Sequence, residues 1–439
     1  MKFIYLFFLI VITPDIVCSQ IKSDFYLDLI SSYDNKSFPK TIVYDGPQLP
    51  FGIDNYQKLG FSYISAYSLK EPKKEPNSYK YILRTGVAYD NPTSNWAKQL
   101  NPFDNDMARF TSIWNNLFDY YNKLYSNPKD KSNFGMIILD IEAKKNSENL
   151  RKSPPLYKGR TKNINKAISD YKTAMANLYN FPLDFARTKH NKFNLWSSFE
   201  DVPIELNWWG IPNRSWQNWV SNPYLLNYIT HDFSNNKLKE TDFSKNLDFY
   251  SVSSYYIYNS LFSDNSWASQ YLAFMLFQIE SNMAWSNKPI FLYHTFKFQG
   301  EKERNTLISE DMVKNTLIFA FLSGLDGMVL YDDSRKPTND HQYLNLIKTF
   351  IETISLLNKY KDYLEDEKVI YFKPDNPRDL FVERKTVIRG IEKKGKLLLA
   401  ATNPFAKKQE VTNVKLNYKG KGINIKLIGK ETYLKEITL

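Results

Sequence analysis

The chain has 439 residues, a formal net charge of +11, one cysteine and four histidines. One Cys excludes a disulfide framework and any Cys-built metal site, and no two His stand at metal-ligand spacing, so neither metal nor cofactor is expected. His190, His231, His294 and His341 read as surface or loop residues.

The chain opens with Lys2 and then an apolar run from Phe3 to Ile12, followed by Val17-Cys18-Ser19. Ten apolar residues fall short of the roughly 20 needed to span a bilayer, so residues 1–19 read as a secretory signal peptide cleaved before Gln20. Acylation of Cys18 is the alternative, disfavoured by the bulk of Val17. No later apolar run reaches spanning length, and the expectation is an exported protein without a transmembrane segment. Its oligomeric state is not legible.

In chain order, candidate strands are Thr41–Asp45, Phe61–Tyr67, Tyr81–Ala88, Phe134–Leu139, Lys192–Phe199, Leu247–Tyr255, Pro289–Tyr293 and Gly327–Tyr331. Between the third and fourth, Phe110, Ile113, Trp114, Leu117, Phe118 and Tyr121 recur at helical spacing. Further helical patterns cover Asn163–Tyr179, Ser266–Ala284, Ser309–Ser323 and His341–Tyr363. Eight strands alternating with helices predict an α/β fold, a (β/α)8 barrel of the TIM type, over residues 20–363. Residues 364–439 change texture: apolar and polar residues alternate between Gly and Asn turns, predicting a small antiparallel, sandwich-like β-domain. From Glu367 to Leu439, 17 Lys and Arg stand against 8 Asp and Glu, so this tail carries most of the net charge. It reads as a solvated basic surface that could also attract an anionic polymer, while export argues against nucleic acid.

The chemistry-bearing stretch is FGMIILDIE, residues 134–142. Residues i and i+2 of a strand share a face, about 6.5–7 Å apart, so Asp140 and Glu142 point the same way at the carboxyl end of the fourth strand. Barrel active sites form at that rim. Two close carboxylates raise one another's pKa, leaving an acid beside an anion, the pair needed to protonate a glycosidic oxygen. A retaining glycosidase with its own nucleophile needs a second carboxylate about 5–5.5 Å from the acid. The sixth and seventh strands end in SVSSYYIYN and FLYHTFKF, without Asp or Glu. Attack by the substrate's 2-acetamido oxygen, with Asp140 steadying the amide and Glu142 as general acid and then base, fits better.

These residues resemble the hyaluronidases of glycoside hydrolase family 56, which close strand four with Asp-x-Glu. The resemblance extends to Tyr44-Asp45-Gly46-Pro47 at the first strand end, to SVSSY with Tyr255, to KPIFLYHTFKF, and to GMVLY with Tyr331. It implies a catalytic trio of Glu142, Asp140 and Tyr255, with Tyr44, Asp45, Tyr256, Tyr331 and Asp332 touching substrate. The family's strand-five Tyr has Phe199, or Trp208 and Trp209, as counterparts here, and its strand-seven Arg gives way near Thr295. Trp208, Trp209, Trp216, Trp219 and Tyr258 add aromatic surface suited to sugar faces. The function expected is an exported, hyaluronidase-like endo-β-N-acetylhexosaminidase acting on a polysaccharide or glycan, a glycosaminoglycan-like or related polymer. The alternatives are another Asp-x-Glu barrel glycosidase, chitinase-like or peptidoglycan-cleaving, and a glycan-binding barrel without catalysis.

Overall fold

The computed structural model describes residues 25, 28–46, 49, 53–65, 81–85, 102–103, 107–125, 134–141, 163–189, 195–205, 208–257, 267–300, 306–332, 341–366 and 368–439. The expected leader at 1–19, Glu142, His190 and Tyr258 lie outside them.

Eight parallel strands form one sheet. They are β1 (Thr41–Asp45), β2 (Tyr63–Ser65), β3 (Tyr81–Thr85), β4 (Phe134–Leu139) and β5 (Leu195–Ser198), then β8 (Tyr250–Ser253), β9 (Ile290–His294) and β10 (Gly327–Tyr331). Between β5 and β8 the chain inserts an antiparallel hairpin, β6 (His231–Ser234) and β7 (Lys237–Glu240). Neighbours run β5-β4-β3-β2-β1-β10-β9-β8. The outer two strands meet through the parallel bridge Phe199↔Ser251, where the Glu200 amide donates to the Ser251 carbonyl at 3.0 Å. The sheet is thereby closed into a (β/α)8 barrel.

Alternation along the strands separates two cores. Val43, Tyr63, Met136, Ile138, Phe249, Phe291 and Val329 cluster together and fill the barrel. Ile42, Tyr44, Ile137, Leu139, Leu292 and Leu330 instead join the core shared with the surrounding helices. A strand buried on both faces must be apolar throughout, which is why β4 reads as an unbroken FGMIIL. Gly327 is forced by packing: a Cβ there would lie 2.7 Å from the Phe291 ring that plugs the barrel.

Helices Met107–Tyr125, Ile164–Lys189, Trp267–Met283, Glu310–Leu322 and His341–Asn358 wrap the sheet. The second of these extends ten residues beyond the expected Tyr179 and contains Pro182. A separate short helix, Lys361–Glu365, follows Asn358. Among the described residues, no helix is long and apolar enough to cross a membrane.

After the barrel, β11 (Ile370–Phe372), β12 (Val387–Lys393), β13 (Lys396–Thr402) and β16 (Tyr433–Thr438) form an antiparallel sheet, and β14 (Val411–Tyr418) pairs with β15 (Lys421–Ile428). One face of the larger sheet packs Ile388, Leu397 and Leu399 against Val414, Ile423 and Ile425 of the hairpin. The other face sends Val387, Ile391, Leu398 and Ala400 into the helical core of the barrel. A short helix, Pro377–Glu383, precedes β12; Asn376 caps it by accepting from the Asp379 amide at 3.0 Å.

Candidate active site

Asp140 follows the last residue of β4 and is 9% exposed. Strand alternation places Met136 and Ile138 inside the barrel, so Asp140 continues the inward-facing series at its mouth. Its register neighbour is Phe199, whose amide donates to the Leu139 carbonyl at 2.8 Å. The apolar strand thus carries one carboxylate to the end of a rigid, fully packed stave. Its expected companion Glu142 lies outside the described residues.

Four aromatic rings gather around the same opening. Phe199 stands 4.8 Å from Tyr293, edge to face, and stacks on Tyr255 at 6.1 Å. Tyr255 in turn lies 6.2 Å from Tyr331. Tyr255 and Tyr331 are half-buried and belong with the barrel-filling group, so both face the mouth as expected. Of the two sequence counterparts for the strand-five aromatic, Phe199 is the one that reaches this cluster.

On the far wall, Asp45 is buried at the end of β1, and its carbonyl accepts from the Asp332 amide at 2.9 Å. Asp332 receives Lys297 Nζ on Oδ1 at 2.7 Å, with both side chains nearly excluded from solvent. The Lys297 ammonium also lies 5.6 Å from the Tyr343 ring centre, in a cation–π arrangement. Asp332 therefore serves a buried ion pair between β9, β10 and the helix at 341–358, rather than offering that oxygen to a ligand.

Several expected ligand groups face elsewhere. Tyr44 is fully buried on the helix side of β1, packed on Tyr56 and Phe61 at 5.4 and 5.3 Å. Tyr256 sits one residue out of phase with Tyr255, stacks on Tyr271, and shares a hydrogen bond with Thr316. Burial pushes its phenol well above the ordinary range. Neither can reach substrate in the barrel. Trp208 wedges between Phe274 and Phe381 at 4.8 and 4.9 Å, and Trp216 and Trp219 pack on Phe277. These indoles dock the β5–β8 connection onto the outer face of the helix at 267–283. Trp209, beside them, is 62% exposed on the same flank, away from the mouth.

Two histidines also depart from the surface reading. His231 and His294 are buried, and His294 is completely so. Desolvation holds His294 as neutral imidazole, its pKa lowered to about 3. It lies among Tyr256 and Phe296, on the helix side of β9.

The sequence reading overlooked Glu200 and Asp201, which directly follow Phe199. Glu200 has φ of +58°, a left-handed conformation uncommon for a residue with a side chain. Such backbone concentrates at functional sites. Asp201 is fully buried and accepts from the Ser198 hydroxyl. The signal was present as an acidic pair at a barrel strand end; the expected strand stopped one residue before it. Among the described residues, the ends of β8 and β9 carry no carboxylate, and no three His, Cys, Asp or Glu could together hold a metal ion.

No protein-family model matches the chain, and no curated protein matches its sequence. Among solved structures, it is similar to bee venom hyaluronidase in complex with a hyaluronic acid tetramer: 14% identity, TM-score 0.45, covering 75% of this chain and 97% of that one. An Anoxybacillus alpha-amylase gives 9% identity and TM-score 0.46, over 91% of this chain and 98% of that one. A GH30 endoxylanase from Clostridium papyrosolvens gives 10% and 0.37, over 91% and 94%. The functional reading therefore rests on this chain's own strand ends.

Proposed function

We propose that the protein is an exported glycoside hydrolase, an endo-β-N-acetylhexosaminidase that uses the substrate's own acetamide as nucleophile. The observation that carries this reading is Asp140. It is a buried carboxylate presented by β4 into an aromatic-lined barrel mouth whose β8 and β9 ends, among the described residues, offer no second carboxylate. In the proposed reaction the Asp140 carboxylate orients the 2-acetamido group, so its carbonyl oxygen attacks the anomeric carbon as the glycosidic bond breaks. Glu142 gives its proton to the departing oxygen and then takes one from the water that opens the cyclised intermediate. The rings of Tyr255 and Tyr331 supply apolar faces for the sugar and hydroxyl tips for its polar edge. Export rests on reading the apolar run Phe3–Ile12 as part of a cleaved leader.

Replacing Glu142 by Gln preserves shape and removes the proton. General acid–base catalysis is typically worth about 10²–10⁴-fold, and a loss of that size in kcat is expected on N-acetylated polymers. Activity within a few-fold of wild type would reassign the acid. A second reading has one specific observation behind it: Glu200, next to the Asp140 strand end and held at positive φ, as a protein nucleophile. A covalent glycosyl ester trapped on Glu200 would establish that reading instead.

A further inference from the structure

On the barrel flank, a cavity of about 550 Å³ opens between the helix at 164–189, the 3-10 turn Pro223–Leu225 and the β6–β7 hairpin. That volume falls within the roughly 300–1,000 Å³ of small-ligand sites. Its lip carries Tyr224, 76% exposed yet fixed in place. Asn222 caps the turn, accepting from the Tyr224 amide at 3.1 Å, and Pro223 stiffens its first position. The Tyr224 ring is braced edge to face by Phe233, centroids 5.0 Å apart at 87°. Beyond that one edge contact the ring is left in water. Behind it charged side chains stand among apolar ones: Lys172, 5.6 Å from the Tyr228 ring centre, shares the cavity wall with Asp232, Glu240 and Asp242.

We infer that this groove is a second glycan-binding site, taking a stretch of neutral polysaccharide with one pyranose face laid on Tyr224. An apolar ring suits the C–H face of a sugar, while carboxylate acceptors suit its hydroxyls. Asp242 is paired with Lys245 at 2.7 Å, so with Lys172 the wall keeps an excess of one carboxylate, which suits a neutral polymer better than a polyanion, in contrast to the basic carboxy-terminal region. Asp232 accepts from the Ser234 hydroxyl on one oxygen at 2.7 Å. The ligand class rests on the glycan reading above, but binding here is separable from turnover.

The test uses the full chain, with co-sedimentation on chitin as the neutral polymer probe and a short chromogenic chitooligosaccharide for turnover. Tyr224→Ala should bind chitin about tenfold more weakly, the scale of one lost aromatic contact, with kcat on the short substrate and the unfolding midpoint unchanged. Asp232→Asn should weaken binding in the same direction. Chitin binding that depends on Tyr224 in a protein with no turnover would uphold this site and sink the catalytic reading. Wild-type affinity in both variants, or no chitin binding by the wild type, would overturn the proposal.

Discussion

Asp140 and His294 show how one fold gives two ionisable groups opposite conditions. Asp140 ends the inward-facing series of β4 at the barrel mouth and keeps 9% exposure, whereas His294 is sealed behind β9 with no exposed surface. The His294 pKa of about 3 lies below the unfolded value near 6.5, so the unfolded chain binds a proton that the folded chain refuses. Its burial therefore costs nothing above pH 6.5 and erodes stability as pH falls from there towards 3. The slope contributed by this one group is about 1.4 kcal/mol per pH unit within that window. Denaturant unfolding between pH 7 and 4 should show the loss, and His294→Phe should flatten it. An unchanged pH slope in that variant would remove His294 as the cause. The sequence hid this group because a lone His between apolar residues carries no mark of which strand face it occupies. Tyr44 and Tyr256 were misplaced for the same reason: each is one position out of phase with the inward series of Asp45 and Tyr255.

At the scale of elements, β1, β4 and β10 fall where the apolar runs TIVYD, FGMIIL and GMVLY put them. Strands buried on both faces announce themselves by continuous hydrophobicity, bounded by charge or Gly. The helix at 164–189 was harder to read because Pro182 signals an ending. It continues because Leu178, Tyr179, Leu183 and Ala186 keep an apolar stripe buried beyond that point. The β5–β8 connection was illegible in another way. Trp208, Trp216 and Trp219 look like sugar platforms in sequence, and only the position of the helix at 267–283 reveals them as packing. That helix also anchors the carboxy-terminal sheet. Arg389 of β12, with no exposed surface, donates to Glu280 at 2.7 Å. Lys373 approaches the same carboxylate at 3.7 Å, and burial lowers its pKa. Removing one member of a buried pair leaves an uncompensated charge, costing about 3–5 kcal/mol. Arg389→Leu should lose stability on that scale in denaturant unfolding, and the Arg389→Leu/Glu280→Leu double variant should lose less. Additive losses would show that the two side chains do not act as a pair.

For the whole molecule, barrel and sheet share one apolar core: Leu380, Phe381, Val387, Ile391 and Leu398 cluster with residues of the barrel helices. A chain truncated near Lys361 would expose that surface, and each buried Leu or Phe side chain is worth about 1.5–3 kcal/mol. The truncated barrel should therefore aggregate or unfold well below the full chain's midpoint, as thermal denaturation would read out. A truncation as stable as the full chain would show that the sheet is an independent appendage. The division of labour that follows has the barrel holding the chemistry and the basic sheet completing its shell.

Hydrolysis with acetamide participation leaves its mark on the first-formed reducing end, which proton NMR reads. The purified full chain is incubated with an N-acetylated β-linked polysaccharide, and spectra are taken before mutarotation. Two displacements at one carbon, the first by the acetamide oxygen and the second by water, predict the β anomer, with configuration retained. An α anomer formed first, or no new reducing end at all, would contradict the account.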